Sequence, residues 1–241
     1  MSSNKYEILT ITDPRSLYSE SFRRLQVNLQ YASVDKPYRV IQVVSSKPGE
    51  GKTTTSLNLA AVYAEKKKKV IIVDLDLRNP KVHRAFKLHS NELPGVTQYI
   101  LGNAKLDEII YHSEYGIDVI TRGEKINFPE TLLDSKVLEE LINTLRETYD
   151  YVILDCPPVL LVTDPIIISK HADCQVFVVS HKKTKKAEAV ESIKILKKAK
   201  ANIAGVIMLG VKKPTSYREK YFYGYYSYNE FDIYGKKGGK K

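Results

Sequence analysis

The sequence predicts an α/β domain built on a mainly parallel sheet with helices on both faces. Three observations carry that expectation. Short apolar runs bounded by turn residues alternate with segments of helical period. The alternation persists from residue 38 to residue 211. The glycine-rich and acidic motifs fall at the carboxyl ends of the apolar runs, where parallel sheets bind their ligands.

The elements follow in chain order. Asp13-Pro14 reads as a helix cap followed by proline at the first helical position. Tyr18, Phe22, Leu25 and Leu29 recur at helical spacing, so the pattern predicts a helix over 14–32. Tyr38 to Val44 is rich in β-formers and runs into a glycine turn, and Lys52 to Lys66 again has helical period. Val70 to Leu75 is a continuous apolar run, as expected of a parallel strand covered on both faces. Strands are then expected at 117–121, 151–154, 174–180 and 203–211, with helices at 136–148, 164–171 and 186–200.

Beyond Val211 both periods stop. Seven of the chain's 17 tyrosines lie in this stretch: Tyr217, Tyr221, Tyr223, Tyr225, Tyr226, Tyr228 and Tyr234. Gly-Lys-Lys-Gly-Gly-Lys-Lys closes the chain, and the composition is that of a flexible tail. The expected organisation is an N-terminal segment with an interface helix (1–36), a core (37–212) and a tyrosine-rich basic tail (213–241).

Composition narrows the setting. No stretch approaches the roughly 18–20 uninterrupted apolar residues of a membrane span, and Met1 to Ile11 lacks a secretion pattern. Cys156 and Cys174 alone give no disulfide framework and fit a reducing cytosol. The expectation is a cytoplasmic protein that meets a membrane only through a partner or its basic surface. The net charge of +10 sits largely in lysine runs at 66–69, 182–186 and 236–241. Solvated helix faces and a solubilising tail are the plainest explanation. Attraction to anionic headgroups comes next, and nucleic acid last, because no base-reading motif accompanies the charge.

The segment Ser46-Lys47-Pro48-Gly49-Glu50-Gly51-Lys52-Thr53 follows an expected strand and opens an expected helix. Glycines there let backbone amides turn inward as a nest for phosphate oxygens, and the helix N-terminus adds a favourable dipole. Pro48, Gly49, Glu50, Gly51, Lys52, Thr53 and Thr54 are therefore the expected nucleotide contacts. Lys52 would reach the β- and γ-phosphates and the Thr53 hydroxyl a magnesium ion. Ser46 stands where the usual pattern has its first glycine. Val70 to Arg78 sets Asp74 and Asp76 at a strand end, where residues i and i+2 of extended chain share a face and converge on one site. Tyr151 to Pro158 ends a second strand in Asp155, placed to hold magnesium directly or through water.

With these motifs quoted, the chain resembles the P-loop tyrosine kinases of bacteria (BY-kinases), of the CpsD/CapB type found in capsule and exopolysaccharide synthesis. The resemblance runs from the Glu20 helix to the tyrosine-rich tail. It implies a P-loop NTPase-like fold, ATP and Mg2+ as cofactors, and phosphoryl transfer to tyrosine. Carried across, it makes Lys52, Asp74 and Asp76 catalytic, with Asp74 as the base for the tyrosine hydroxyl. It gives the metal to Thr53, Asp76 and Asp155. It makes the tail tyrosines autophosphorylation sites, modified in trans by a neighbouring subunit. It also implies a ring-like homo-oligomer with Glu20 and Arg23 at the interface, and downstream polysaccharide-synthesis enzymes. The activator it implies is the cytoplasmic segment of a membrane polysaccharide co-polymerase, which would recruit the chain to the inner face of the cell membrane.

Three positions depart from that family. Gln26 stands where its interface helix repeats arginine, and Leu209 where an asparagine is expected near the adenine. Lys47 falls where the related MinD/ParA ATPases carry a signature lysine. Two other readings therefore stand beside the kinase: a MinD/ParA-like ATPase switch, and a nucleotide-sensing regulatory subunit without kinase activity. The tyrosine cluster separates them, because an ATPase switch has no use for it.

Overall fold

The computed structural model describes residues 6–33, 36–89 and 93–211. In chain order the elements are α1 (Leu9–Thr12), α2 (Leu17–Ala32), β1 (Val40–Ser45), α3 (Lys52–Glu65), β2 (Val70–Asp74), α4 (Val82–Ala85), α5 (Val96–Ile100) and α6 (Leu106–Ile109). Then come β3 (Tyr111–His112), β4 (Ile117–Ile120), α7 (Pro129–Leu133), α8 (Lys136–Thr148) and β5 (Tyr151–Asp155). The last are α9 (Asp164–Ser169), β6 (Cys174–Ser180), α10 (Lys186–Lys198) and β7 (Ile203–Leu209).

The described strands make one sheet in the order β3-β4-β2-β5-β1-β6-β7. Every pairing is parallel except that of β3 with β4. The apolar runs are apolar for a physical reason: β1, β2 and β6 are covered on both faces, so neither set of side chains meets water. Ile71, Val73, Val152, Leu154 and Phe177 face Leu138, Leu141, Ile142 and Leu145 of α8, Ile168 of α9 and Leu196 of α10. Ile41, Val43, Ile72, Ile153, Val176 and Val178 face Leu57, Ala60, Ala61 and Tyr63 of α3 and Leu29 of α2. Each such Val, Leu, Ile or Phe side chain contributes roughly 1.5–3 kcal/mol of burial. Tyr63 and Tyr151 stack at the rim, with ring centroids 3.6 Å apart.

The expected elements are present, most with ends moved by one or two residues. The first long helix differs for a chemical reason. It starts at Leu17 and not at Pro14, because Ser16 caps it by accepting the Ser19 N–H at 3.2 Å. Asp13 instead ends α1, which the sequence pattern did not predict, and its carbonyl accepts the Ser19 hydroxyl at 2.7 Å. The short helices α4 to α7 and the edge strand β3 were also not expected. None is longer than five residues, too short for either period to register.

Candidate nucleotide and phosphoryl-transfer site

The phosphate loop joins β1 to α3 at the carboxyl edge of the sheet, with β5 on one side of β1 and β6 on the other. Gly49 has φ +75° and Gly51 φ +107°, conformations that L side chains rarely adopt. A Cβ on Gly51 would also lie 2.3 Å from Leu209 Cδ1 and push that side-chain tip aside, though the positive φ is what requires glycine. Among the described residues, the amides of Gly49, Gly51, Lys52 and Thr53 donate to no acceptor. Unpaired amides at the head of a long helix form a nest that fits a phosphate group.

Lys52 opens α3 and is 6% exposed, and its ammonium makes no hydrogen bond or salt bridge to a described residue. Its charge is attracted by Asp76 and Asp155. Thr53 donates its hydroxyl to Asp155 Oδ2 at 2.7 Å, and Ser56 donates to Oδ1 at 2.9 Å. The Thr53 hydrogen is thereby committed, which leaves its oxygen lone pairs as the acceptors a cation could use. Among the described residues no group of three or more His, Cys, Asp or Glu side chains is set to hold a metal ion. A Mg2+ here would lean on phosphate oxygens and water, as Mg2+ generally does in nucleotide sites.

Parallel pairing of β2 with β5 puts Asp74 opposite Asp155. Adjacent strands lie about 4.8 Å apart, so two carboxylates share a buried corner. Burial pushes Asp74 well above the usual carboxylate range, and the charges of Asp155 and Asp76 push it further. Burial likewise raises Asp155 to about 6, against the opposing pull of Lys52. Asp76 is raised, again chiefly by burial.

Asp74 and Asp76 do come together, though not as neighbours on one pleat. β2 ends at Asp74, whose Oδ2 accepts the amides of Lys81 at 2.9 Å and Val82 at 3.0 Å. Asp76 lies in the following turn, its Oδ1 accepting the Asn79 N–H at 3.0 Å. The shared face expected of an extended segment is replaced by a turn that folds back on the strand end. Asp74 Oδ1 is the freer oxygen, accepting among the described residues the Asp76 N–H at 3.3 Å.

Three further residues join the site without having been predicted. Arg122 is 5% exposed, and its charge interacts with Asp74 and Asp76, while burial lowers its pKa. Asp164, fully buried, receives Arg78 through Nε at 2.9 Å and Nη2 at 3.1 Å. Ser56 completes the hold on Asp155. Arg78 was recognisable as part of Asp-x-Asp-x-Arg, yet nothing local in the sequence identifies a partner 86 residues away.

Other expected residues serve internal roles. Glu50 is 2% exposed, and its side chain accepts from Lys47 N at 2.9 Å and the Thr184 hydroxyl at 2.6 Å, leaving only its backbone for a nucleotide. Thr54, in the first turn of α3, gives its carbonyl to Asn58 Nδ2. Lys47 pairs with Glu188 at 2.7 Å. Arg23 forks onto Glu65 of α3 through two 3.0 Å bonds, and Glu20 lies 3.6 Å from it. Gln26 is buried and accepts from Lys66. The tail tyrosines lie outside the described residues. A cavity of about 200 Å3 lined by Ala85, Phe86, Lys87 and His112 to Tyr115 sits at the amino end of β4 and holds none of these groups. A phosphate-binding nest needs no deep cavity, so the chemistry locates the site.

A nest of free amides, a buried lysine, a threonine held by a strand-end aspartate and a parallel sheet define a P-loop nucleotide-binding protein. The family model described as an AAA domain matches residues 38–204. The chain is 40% identical over 220 residues to the tyrosine-protein kinase YwqD of Bacillus subtilis, covering 91% of this chain and 90% of that one. It is 33% identical to the tyrosine-protein kinase etk of Escherichia coli over 209 residues, 86% of this chain but 28% of that longer protein. The solved kinase domain of that enzyme superposes with a TM-score of 0.83 at 30% identity, over 90% of this chain and 84% of the domain. The septum site-determining protein MinD of Pyrococcus horikoshii, solved with Mg-ADP, follows at 0.60 and 26%, over 70% and 69%. The chain belongs to the bacterial tyrosine-protein kinases.

Proposed function

We propose that this chain transfers the γ-phosphoryl group of ATP to tyrosines of its own C-terminal cluster, in trans between subunits, and so regulates capsular or extracellular polysaccharide synthesis and export. The single observation that carries the reading is the corner where Lys52, Thr53, Asp74, Asp76 and Asp155 meet over a nest of unpaired amides. Phosphoryl transfer asks mainly for positioning and charge stabilisation, and this corner offers both.

In this reading the loop amides and Lys52 bind and orient the phosphates. Asp74 Oδ1 takes the proton of the incoming tyrosine hydroxyl, and burial beside Asp155 and Asp76 raises its affinity for that proton. Thr53 and Asp76, with Asp155 behind Thr53, would hold Mg2+, whose contribution there would be to neutralise phosphate charge. Arg122 supports the same corner as a buried cation beside Asp74 and Asp76. Unphosphorylated subunits assemble as a ring through the face of α2 that bears Glu20 and Arg23, and phosphorylation releases the tails. Each phosphate adds about −1.5 to −2 charges to a tail that begins cationic. The activator is the cytoplasmic segment of a membrane polysaccharide co-polymerase, which brings the chain to the inner face of the membrane. That placement agrees with the described residues, where no helix is long and apolar enough to cross a bilayer.

The test replaces all seven tail tyrosines with phenylalanine. Nucleotide binding should be retained, phosphotyrosine after incubation with Mg-ATP should nearly vanish, and light scattering after gel filtration should find the larger assembly persisting under ATP. Labelling as strong as the parent's would show that the tail is not the substrate and would leave an ATPase switch as the better reading.

A further inference from the structure

The order β2-β5-β1-β6-β7 sets the two flanks of the phosphate loop apart. On one flank, β2 and β5 end in the carboxylates Asp74 and Asp155. On the other, the segment after β6 and the end of β7 close over the loop. The His181 N–H donates to the Leu209 carbonyl at 2.9 Å, and Leu209 packs against Gly51. Lys183 Nζ donates to the Gly49 carbonyl at 3.1 Å. Thr184 bonds Glu50 at 2.6 Å and takes the Ser180 N–H at 2.8 Å, so the whole turn is fastened to the loop it covers.

A nest directs its amides toward the anion and its carbonyls away. A lysine seated on a loop carbonyl is therefore outside the phosphate cradle. A nucleotide whose terminal phosphate meets the carboxylate flank must extend its nucleoside across β1 toward β6 and β7. Lysine covers apolar surface with its four-carbon stem while its ammonium stays hydrogen-bonded or solvated.

We propose that Lys183 is the nucleoside-side wall of the site, its ammonium holding the Gly49 carbonyl and its stem lying against the base, with Leu209 beside it. This rests on the reading of the loop as the ATP site and adds to it a nucleoside-binding residue from one of the lysine runs. The role is binding and positioning, because Lys183 stands on the flank away from Lys52 and the carboxylates.

The experiment measures affinity of the full chain for Mg-ATP, Mg-ADP and inorganic tripolyphosphate by calorimetry, and KM and kcat for ATP. Lys183→Ala should weaken ATP and ADP about tenfold and leave tripolyphosphate unchanged. KM for ATP should rise about as much, with kcat within about twofold. Lys183→Arg, which keeps both stem and donor, should stay within about threefold of the parent for all three probes. Thr184→Val, which unfastens the turn from Glu50, should weaken all three alike. Equal losses for ATP and tripolyphosphate in Lys183→Ala would make Lys183 a phosphate ligand and overturn the proposal. No loss for any probe would overturn it too. Lys52→Met run in parallel separates the two levels. If it loses tripolyphosphate while Lys183→Ala changes nothing, only this inference fails; if it binds all three normally, the ATP-site reading itself fails.

Discussion

At the amino ends of β5 and β6, Asp150 and Asp173 are satisfied carboxylates. Asp150 accepts the Lys69 N–H at 2.9 Å, and Asp173 accepts the N–H groups of Arg39 and Val40, both at 2.8 Å, with Arg146 on its other oxygen. Burial works against the Asp173 charge, and those donors outweigh it, holding its pKa below the usual range. At the carboxyl ends of β2 and β5 the opposite holds. Asp74 and Asp155 are paired across the ladder with like charges, and both are driven upward by burial. One end of the sheet spends its donors on stability. The other keeps Lys52 and the loop amides unpaired and tolerates crowded acids, which is the cost of a site ready for a polyphosphate and a cation.

The strongest way to break this contrast is Lys52→Met. Removing this buried cation, which has no hydrogen-bonded partner among the described residues, should reduce phosphotyrosine formation about a thousandfold, the scale of losing a preorganised charge-stabilising donor, while circular dichroism shows the fold intact. Radiolabelled ATP incorporation reads it.

Next in size is Arg78→Met. It leaves the fully buried Asp164 without the fork of a partly exposed guanidinium and should cost about 2–3 kcal/mol, as stripping a buried acceptor of its charged donors does. Urea melts measure it, and midpoint loss should appear without any ligand present.

Asp173→Ala tests the satisfied end. It leaves two amides and Arg146 without an acceptor, for a loss of about 2 kcal/mol, with ATP affinity unchanged. Its depressed pKa fixes the sign of the pH effect. The Asp173 contribution is complete above about pH 4, near the ordinary carboxylate value, and disappears as pH falls through the lower folded value. The difference between parent and variant melts should shrink on acidification in that range and stay constant above it.

Asp74→Asn sharpens the contrast from the other side. Asparagine keeps an oxygen for the Lys81 and Val82 amides and removes a charge repelled by Asp155 and Asp76. The ligand-free variant should gain about 1 kcal/mol, or roughly 2–4 °C in Tm, while losing turnover. A variant that melts lower than the parent would mean that the acids are not crowded.

The smallest effect is expected of Arg23→Ala. Its pair with Glu65 is partly exposed and should be worth under about 1 kcal/mol. A normal melt combined with loss of the large assembly in light scattering would support the ring interface on α2.

Much of this protein was legible one segment at a time. The apolar run of β2 declares a doubly covered strand, and Gly49 to Thr53 a phosphate loop, because burial on two faces and positive φ each demand particular residue types at fixed spacing. Lys52, Thr53, Asp74, Asp76 and Asp155 were singled out that way, and the fold brings them to one edge of the sheet. The ladder decided the rest. That Asp74 lies beside Asp155 follows from β2 pairing with β5, and that Arg78 is held by Asp164, or Lys183 by Gly49, follows from packing across 86 and 134 residues of chain. Periodicity reports which face of an element meets water. It carries no record of which distant charge arrives on the other side, so the site's chemistry was written in the sequence and its electrostatics only in the tertiary structure.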